Sequence, residues 1–223
     1  MPEFLADKIV TVSILAVPLL LALVCHELAH GLAAYALGDP TARRAGRLTL
    51  NPLRHLDPLG TVVFFIANIG WAKPVPVDPR FFKNPLKGML LVALAGPGAN
   101  FLLAVLFAVL YHALLPWAVA HQAGALGTVL VPLTLISQAG VFVNLVLGTF
   151  NLLPVPPLDG SNILAGVLPR HLAYRYLSFG RYGVFVILAA ILLGDLLDIN
   201  LLGRILLPVV ETGSRLLRVP LTF

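Results

Sequence analysis

Charged residues are scarce in this sequence. Asp, Glu, Lys and Arg make up 11% of its 223 residues, whereas soluble globular domains carry about 25%. No charged residue occurs between positions 88 and 150. Hydrophobic residues make up 59% of the chain, and its mean hydropathy is +0.94. This composition excludes an ordinary soluble domain and predicts a protein embedded in a lipid bilayer.

Cysteine is nearly absent as well. Cys25 is the one cysteine of the chain, which excludes an intrachain disulfide. The formal net charge of +5 could suggest nucleic-acid binding. However, the basic residues lie in short segments between apolar runs, chiefly at 43–54, 73–87 and 170–181. That distribution is typical of loops at the cytoplasmic face of a membrane protein, so we expect no nucleic-acid partner.

Five apolar runs are long enough, or nearly so, to cross a bilayer, which takes about 20 residues. They lie at 9–37, 88–117, 126–150, 172–193 and 201–217. A further apolar stretch at 59–71 is too short for a full crossing and suits a re-entrant element. A re-entrant element also leaves the basic segments before and after it on the same, cytoplasmic side.

These runs predict an all-α polytopic membrane protein with five to six transmembrane helices. We expect a single domain over 1–223, with its motif-bearing core at about 9–165 and C-terminal helices at 172–217. Two short segments, 47–50 and 73–77, alternate like strands, and the second contains two prolines. Since proline is confined to sheet edges, we predict short edge strands near the cytoplasmic face.

The first apolar run carries the pattern H-E-x-x-H as His26, Glu27 and His30. Positions i and i+4 share one face of a helix, so both imidazoles can bind one Zn²⁺. Glu27 lies on the flank of that face and can act as general base toward water at the metal. Packed polar residues in a core helix are the alternative, but ionisable groups at membrane depth are costly and are functional candidates by default.

A catalytic zinc site usually takes a third protein ligand. Asp159 is the candidate because it follows the third apolar run in a segment rich in proline. The predicted topology also places it on the same, cytoplasmic side of the membrane as the end of the first helix. Irregular backbone near membrane depth is tolerated only inside protein or beside a watery cavity. A turn residue preceding Gly160 is the alternative interpretation of Asp159.

Taken together, the motifs resemble the site-2 protease family of intramembrane zinc metalloproteases, in its compact members without a PDZ insertion. The resemblance covers positions of about 25 to 165. It rests on His26-Glu27-x-x-His30, on Asn151-x-x-Pro154-x-Pro156-x-x-Asp159-Gly160, and on three further matches. These are Gly96-Pro97-Gly98-Ala99-Asn100, Leu50-Asn51-Pro52 through Asp57-Pro58-Leu59-Gly60, and Gly70-Trp71-Ala72-Lys73-Pro74-Val75-Pro76-Val77.

The resemblance implies that His26, His30 and Asp159 hold one zinc ion per chain while Glu27 activates water. It implies that Asn151 holds the substrate backbone or stabilises the developing oxyanion. Asn100 and Asn144 are weaker candidates, since hydrogen bonding between helices explains them equally well. The substrates implied are single-span proteins of the cell membrane, cut in or near their transmembrane segments by regulated intramembrane proteolysis.

Helix geometry predicts the depth of the site. At 1.5 Å per residue, His30 lies about 10 Å and His26 about 16 Å below the end of the first run, within the bilayer but nearer the cytoplasmic side. Two alternatives use the same residues: a metal-ion transporter and a catalytically inactive scaffold. A transporter predicts a second polar site along its path, but 88–150 contains no charged residue. An inactive scaffold typically lacks a ligand or the base, and here all four groups are present.

Overall fold

The structure is a computed structural model that describes residues 3–57, 73–197 and 199–221. Two short 3-10 turns, Pro52–Arg54 and Pro79–Phe81, lie between its first and second long helices. The helices are α1 (Glu3–Ala36), α2 (Thr41–Arg44), α3 (Pro85–His121), α4 (Gly127–Asn151), α5 (Asp159–Val167), α6 (Arg170–Ser178), α7 (Gly180–Leu196) and α8 (Leu201–Leu217).

Local sequence signals set several helix ends. Gly38-Asp39-Pro40 follows the end of α1, where proline cannot continue a helix. Asn84 precedes α3, and its side-chain oxygen accepts a hydrogen bond from the Lys87 amide, while Pro85 occupies the first helical position. Asn200 caps α8 in the same way through the amide of Gly203.

Three of these helices are long and apolar enough to cross a membrane: Val10–Ala36 within α1, the whole of α3 and the whole of α4. A fourth crossing is possible if α6 and α7, which meet at an angle of 58°, form one broken span. The described residues thus confirm a helical, multi-span protein. The predicted fifth span coincides with α8, which has only 17 residues, so a crossing there stays a prediction.

Two more detailed predictions concern the edge strands and the re-entrant element. The described residues contain no strand, so the expectation of edge strands at 47–50 and 73–77 is wrong for those segments. The second segment has no regular secondary structure: Lys73 N–H donates to the His55 carbonyl and Val75 N–H to Glu27, and its two prolines have no N–H. The predicted re-entrant element at 59–71 lies outside the described residues.

The core is a bundle of α1, α3 and α4, with α5 packed against α3 and α8 against α4. Of the three long helices, α4 is the most enclosed. An apolar cluster that includes Phe107, Tyr111, Val141, Leu145 and Val210 joins α3, α4 and α8. The packing of α1 against α3, with the start of α5 beside them, positions the site.

Candidate metal centre

His26, His30 and Asp159 meet in one cluster between α1 and the start of α5. Their ligand atoms all lie within 4.8 Å of one another. His26 Nε2 lies 3.1 Å from one carboxylate oxygen of Asp159, and His30 Nε2 lies 3.2 Å from the other. The two Nε2 atoms are 3.0 Å apart. The structure therefore brings together the three residues that the sequence predicts as metal ligands.

The irregular segment between α4 and α5 places Asp159. The chain leaves α4 at Asn151, turns through 152–158 and begins α5 at Asp159 itself. A Cβ added at Gly160 would lie 2.2 Å from the Leu152 carbonyl oxygen, so only glycine permits this turn to close so tightly. Asp159 also occupies the first turn of a helix, where a carboxylate is favourable, so the turn interpretation and the ligand interpretation both apply.

The hydrogen-bond partners of the two imidazoles indicate which nitrogen of each carries the proton when the ring is neutral. His30 Nδ1 lies 2.7 Å from the Val92 carbonyl oxygen, which can only accept, so this nitrogen donates. His26 Nδ1 lies 2.6 Å from the side-chain oxygen of Asn100, whose amide nitrogen donates instead to the Ala22 carbonyl. A neutral imidazole has one N–H. Both Nε2 atoms therefore present lone pairs to the cluster.

This arrangement tests whether the residues fit a metal ion. When both imidazoles are neutral, two lone pairs and a carboxylate face one another at 3.0–3.2 Å. Within the described part of the chain, the buried Asp159 oxygen nearest His26 has no hydrogen-bond partner. Such a group of acceptors is unfavourable unless a cation balances it. Two imidazoles and a carboxylate are a donor set typical of zinc, and the residues fit it.

Glu27 lies beside this cluster, and one of its carboxylate oxygens accepts a hydrogen bond of 2.8 Å from the Val75 amide. A second carboxylate, that of the fully buried Asp39, accepts one of 2.7 Å from the Asp78 amide. Asp39 also accepts from the amide and hydroxyl of Thr41. Two carboxylates at α1 and its end therefore hold the irregular 73–78 segment alongside the helix that carries the metal-binding residues.

The whole site lies in a region that matches a protein-family model. Residues 14–193 match the model described as peptidase family M50. The chain belongs to peptidase family M50. The resemblance to site-2 proteases is thereby confirmed, and this M50 protein is a zinc metalloprotease.

Individual relatives agree with the family. The chain is 39% identical over 191 residues to YwhC of Bacillus subtilis, provisionally named a zinc metalloprotease, with 84% of each protein covered. It is 34% identical over 188 residues to Rip2 of Mycolicibacterium smegmatis, which has the same provisional name, covering 80% of this chain and 66% of that protein. It is 33% identical over 151 residues to Rip2 of Mycobacterium tuberculosis, and that match covers 63% of this chain and 52% of the relative. No solved structure matches the chain.

Asn151, the remaining predicted site residue, is the last residue of α4 in this M50 protein. Its side-chain amide donates 3.0 Å to the Leu147 carbonyl, one turn earlier in the same helix. The structure places it at the start of the segment that leads to Asp159. Its role toward substrate stays a prediction.

Sequence reasoning missed the contacts that orient the two histidines of the M50 site. The Val92 carbonyl lies against His30 Nδ1, and no side-chain pattern marks a backbone acceptor. Asn100 was a weaker candidate within a matched motif, but its contact with His26 was not predicted. The function of Gly96 also emerges only from packing: a Cβ there would lie 2.5 Å from His30 Cε1 and Nε2 and 2.7 Å from His26 Cε1.

Gly96→Ala is therefore expected to displace both imidazoles and weaken zinc binding by about tenfold or more, the size of loss seen when a ligand's orienting partner is removed. The measurement is the zinc dissociation constant in detergent by competition with a chromophoric chelator. Gly98→Ala is the matched control, because the same helix leaves nothing within 4 Å of a Cβ at that position. Equal zinc affinity in the two variants would contradict the packing described here.

Proposed function

We propose that this M50 protein is an intramembrane protease that uses one zinc ion per chain to hydrolyse peptide bonds in or near the transmembrane segments of single-span membrane proteins. The observation that carries the proposal is the location of the cluster. His26 and His30 lie inside a candidate membrane span, Val10–Ala36, and not on a loop. Substrate bonds must therefore reach bilayer depth to be cut.

The depth and side of the site follow from α1. At 1.5 Å per residue, His30 and His26 lie about 9 Å and 15 Å before the end of that helix at Ala36. Four basic residues follow that end before position 55: Arg43, Arg44, Arg47 and Arg54. Since basic loops are retained on the cytoplasmic side, we place the active site nearer the cytoplasmic face of the cell membrane. Products would be released toward the cytoplasm.

In the proposed reaction, zinc and the protein side chains supply different functions. Zinc held by His26, His30 and Asp159 would supply a Lewis acid that polarises the scissile carbonyl and makes water acidic enough to react. Glu27 takes the proton of the attacking water and delivers it to the leaving amine. The Val75 amide, 2.8 Å from Glu27, holds this carboxylate in place. Asn151 would support the substrate backbone or the developing oxyanion.

The 73–78 segment contacts the general base through the Val75 amide, which makes it a candidate to hold substrate. A transmembrane helix must unwind locally before its peptide bond can be attacked, and an unwound strand can pair with extended backbone. Glu27 and Asp39 anchor this segment through the amides of Val75 and Asp78. We propose that it aligns the unwound substrate beside the general base.

Cleavage by purified protein in liposomes tests the proposal. The substrate is a single-span protein with soluble tails, and mass spectrometry locates the cut. We expect cleavage inside the span or at its cytoplasmic boundary, lost with a zinc chelator and restored by added zinc. A control substrate replaces the span with a soluble linker of equal length and should remain intact. Cleavage confined to the soluble tails, or unaffected by the chelator, would contradict the proposal.

A further inference from the structure

Two asparagines lie in the interface between α3 and α4. Asn100 and Asn144 are both 0% exposed. A buried amide is costly unless its donor and acceptor atoms are paired. Both side chains are paired, and the pairs form a directed chain that ends at the metal-binding cluster.

The donor-to-acceptor direction of these hydrogen bonds follows from the Asn144 end, the end farthest from the cluster. Asn144 Nδ2 donates 2.9 Å to the Gly140 carbonyl, an atom that can only accept. This fixes the Asn144 amide so that its oxygen faces Asn100. Asn100 Nδ2 donates to that oxygen at 3.0 Å and to the Ala22 carbonyl at 3.2 Å. The Asn100 oxygen must then face His26, whose Nδ1 lies 2.6 Å away.

We propose that Asn144 and Asn100 are positioning residues that set the tautomer of His26. Because the Asn100 oxygen accepts from Nδ1–H, the lone pair of His26 is placed on Nε2, toward Asp159 and His30. A flipped Asn100 amide would present its NH₂ group to Nδ1 and favour the tautomer with a proton on Nε2, which leaves no lone pair on the nitrogen that faces the cluster. This inference rests on the proposed function, in which His26 is a zinc ligand.

The two histidines differ in a way that explains why a relay is needed. His30 donates to the Val92 carbonyl, and a backbone carbonyl in a helix cannot rotate. His26 donates to a side-chain amide, which has two possible orientations. The second asparagine and the Ala22 carbonyl remove that freedom by accepting from the amide nitrogen. Removing Asn144 takes away one of the two restraints, whereas removing Asn100 takes away the acceptor itself.

The zinc dissociation constant of the detergent-purified full chain tests the relay, with Zn²⁺ alone as probe. We expect Asn100→Leu to weaken zinc binding by about 10–100-fold and Asn144→Ala by a smaller factor, about two- to tenfold. Asn100→Asp should bind zinc better than Asn100→Leu, because both carboxylate oxygens can accept from Nδ1–H. A purely structural role predicts the reverse, since neither residue can donate to Ala22 or Asn144 and a buried carboxylate costs more than a buried leucine.

The decisive comparison measures the effect of Asn144→Ala in the wild type and in Asn100→Asp, because the two oxygens of a carboxylate are equivalent. An aspartate at 100 has no wrong orientation, so Asn144→Ala should lose its effect on zinc affinity when combined with Asn100→Asp. An equal effect of Asn144→Ala in both backgrounds would overturn the proposal, as would wild-type zinc affinity in Asn100→Leu. Gln138→Ala, at another buried amide on α4 that donates to the Pro220 carbonyl, is the control and should leave zinc affinity unchanged.

A second readout does not depend on how the variants fold. In zinc-free wild-type protein labelled with ¹⁵N-histidine, NMR should show His26 with its proton on Nδ1 at a pH above the usual imidazole pKa. A neutral His26 ring with its proton on Nε2 would overturn the relay. The two proposals fail separately: an insensitive Asn100 leaves wild-type zinc binding intact, whereas a wild-type chain that binds no zinc contradicts the proposed function itself.

Discussion

Glu27→Gln is expected to lower kcat for peptide hydrolysis by about 10²–10⁴-fold, the contribution typical of a general base. Glutamine keeps the shape of the side chain, and its carbonyl oxygen can still accept from the Val75 amide that now holds the carboxylate. It cannot take a proton from water. Since Glu27 is not among the three clustered residues, zinc content should remain at the wild-type level. The measurement is the initial rate on the single-span substrate, with zinc determined on the same sample.

A matched substitution separates loss of the base from loss of a negative charge. Glu211 lies on α8, is half-exposed and pairs with Arg215 one turn later. Glu211→Gln makes the same chemical change away from the cluster and should leave the rate unchanged. If Glu27→Gln retains wild-type activity, Glu27 is not the base. If the variant loses its zinc, the lost rate reports on the metal and not on proton transfer.

The part of the site that lies on one helix could be read directly from the sequence. His26 and His30 are four residues apart, and helix geometry alone places them on one face. The ligand atoms of this pair are 3.0 Å apart. Local periodicity suffices here because no other part of the chain has to be placed.

Asp159 shows where such reasoning needs topology. Its distance from His26 and His30 depends on the course of two long helices and an irregular turn. From the sequence alone, a turn residue was therefore as good an interpretation of Asp159 as a metal ligand, and only the family resemblance favoured the ligand. The tight closure at Gly160 and the packing of α5 against α3 decide its position. Neither has a signal that can be read from periodicity.

The groups that orient the site were the hardest to predict. Asn100 meets His26 because α3 and α1 pack in one particular register, and Val92 contributes a backbone atom. The strand prediction at 73–77 failed for a related reason. Alternation suggested a sheet edge, but the amides of Lys73 and Val75 bond to the His55 carbonyl and to Glu27 instead. Contacts between distant segments, and not local propensity, determined each outcome.

We infer that residues from α1 and α5 form one zinc site. Zinc content of the purified, detergent-solubilised chain tests it most directly, in the wild type and in His26→Ala and Asp159→Ala. Each substitution removes one of three donors that lie within 4.8 Å of one another. The two remaining donors cannot complete a catalytic zinc site of the usual three protein ligands. His171→Ala, an exposed histidine on α6, is the control.

We predict about one zinc per wild-type chain, the same value in His171→Ala, and affinity lower by at least about 100-fold in both His26→Ala and Asp159→Ala. Equal losses in the two variants would establish that the distant motifs hold the same ion. Full zinc binding in Asp159→Ala would contradict the account, because the carboxylate beside the two imidazoles would then contribute nothing to the metal.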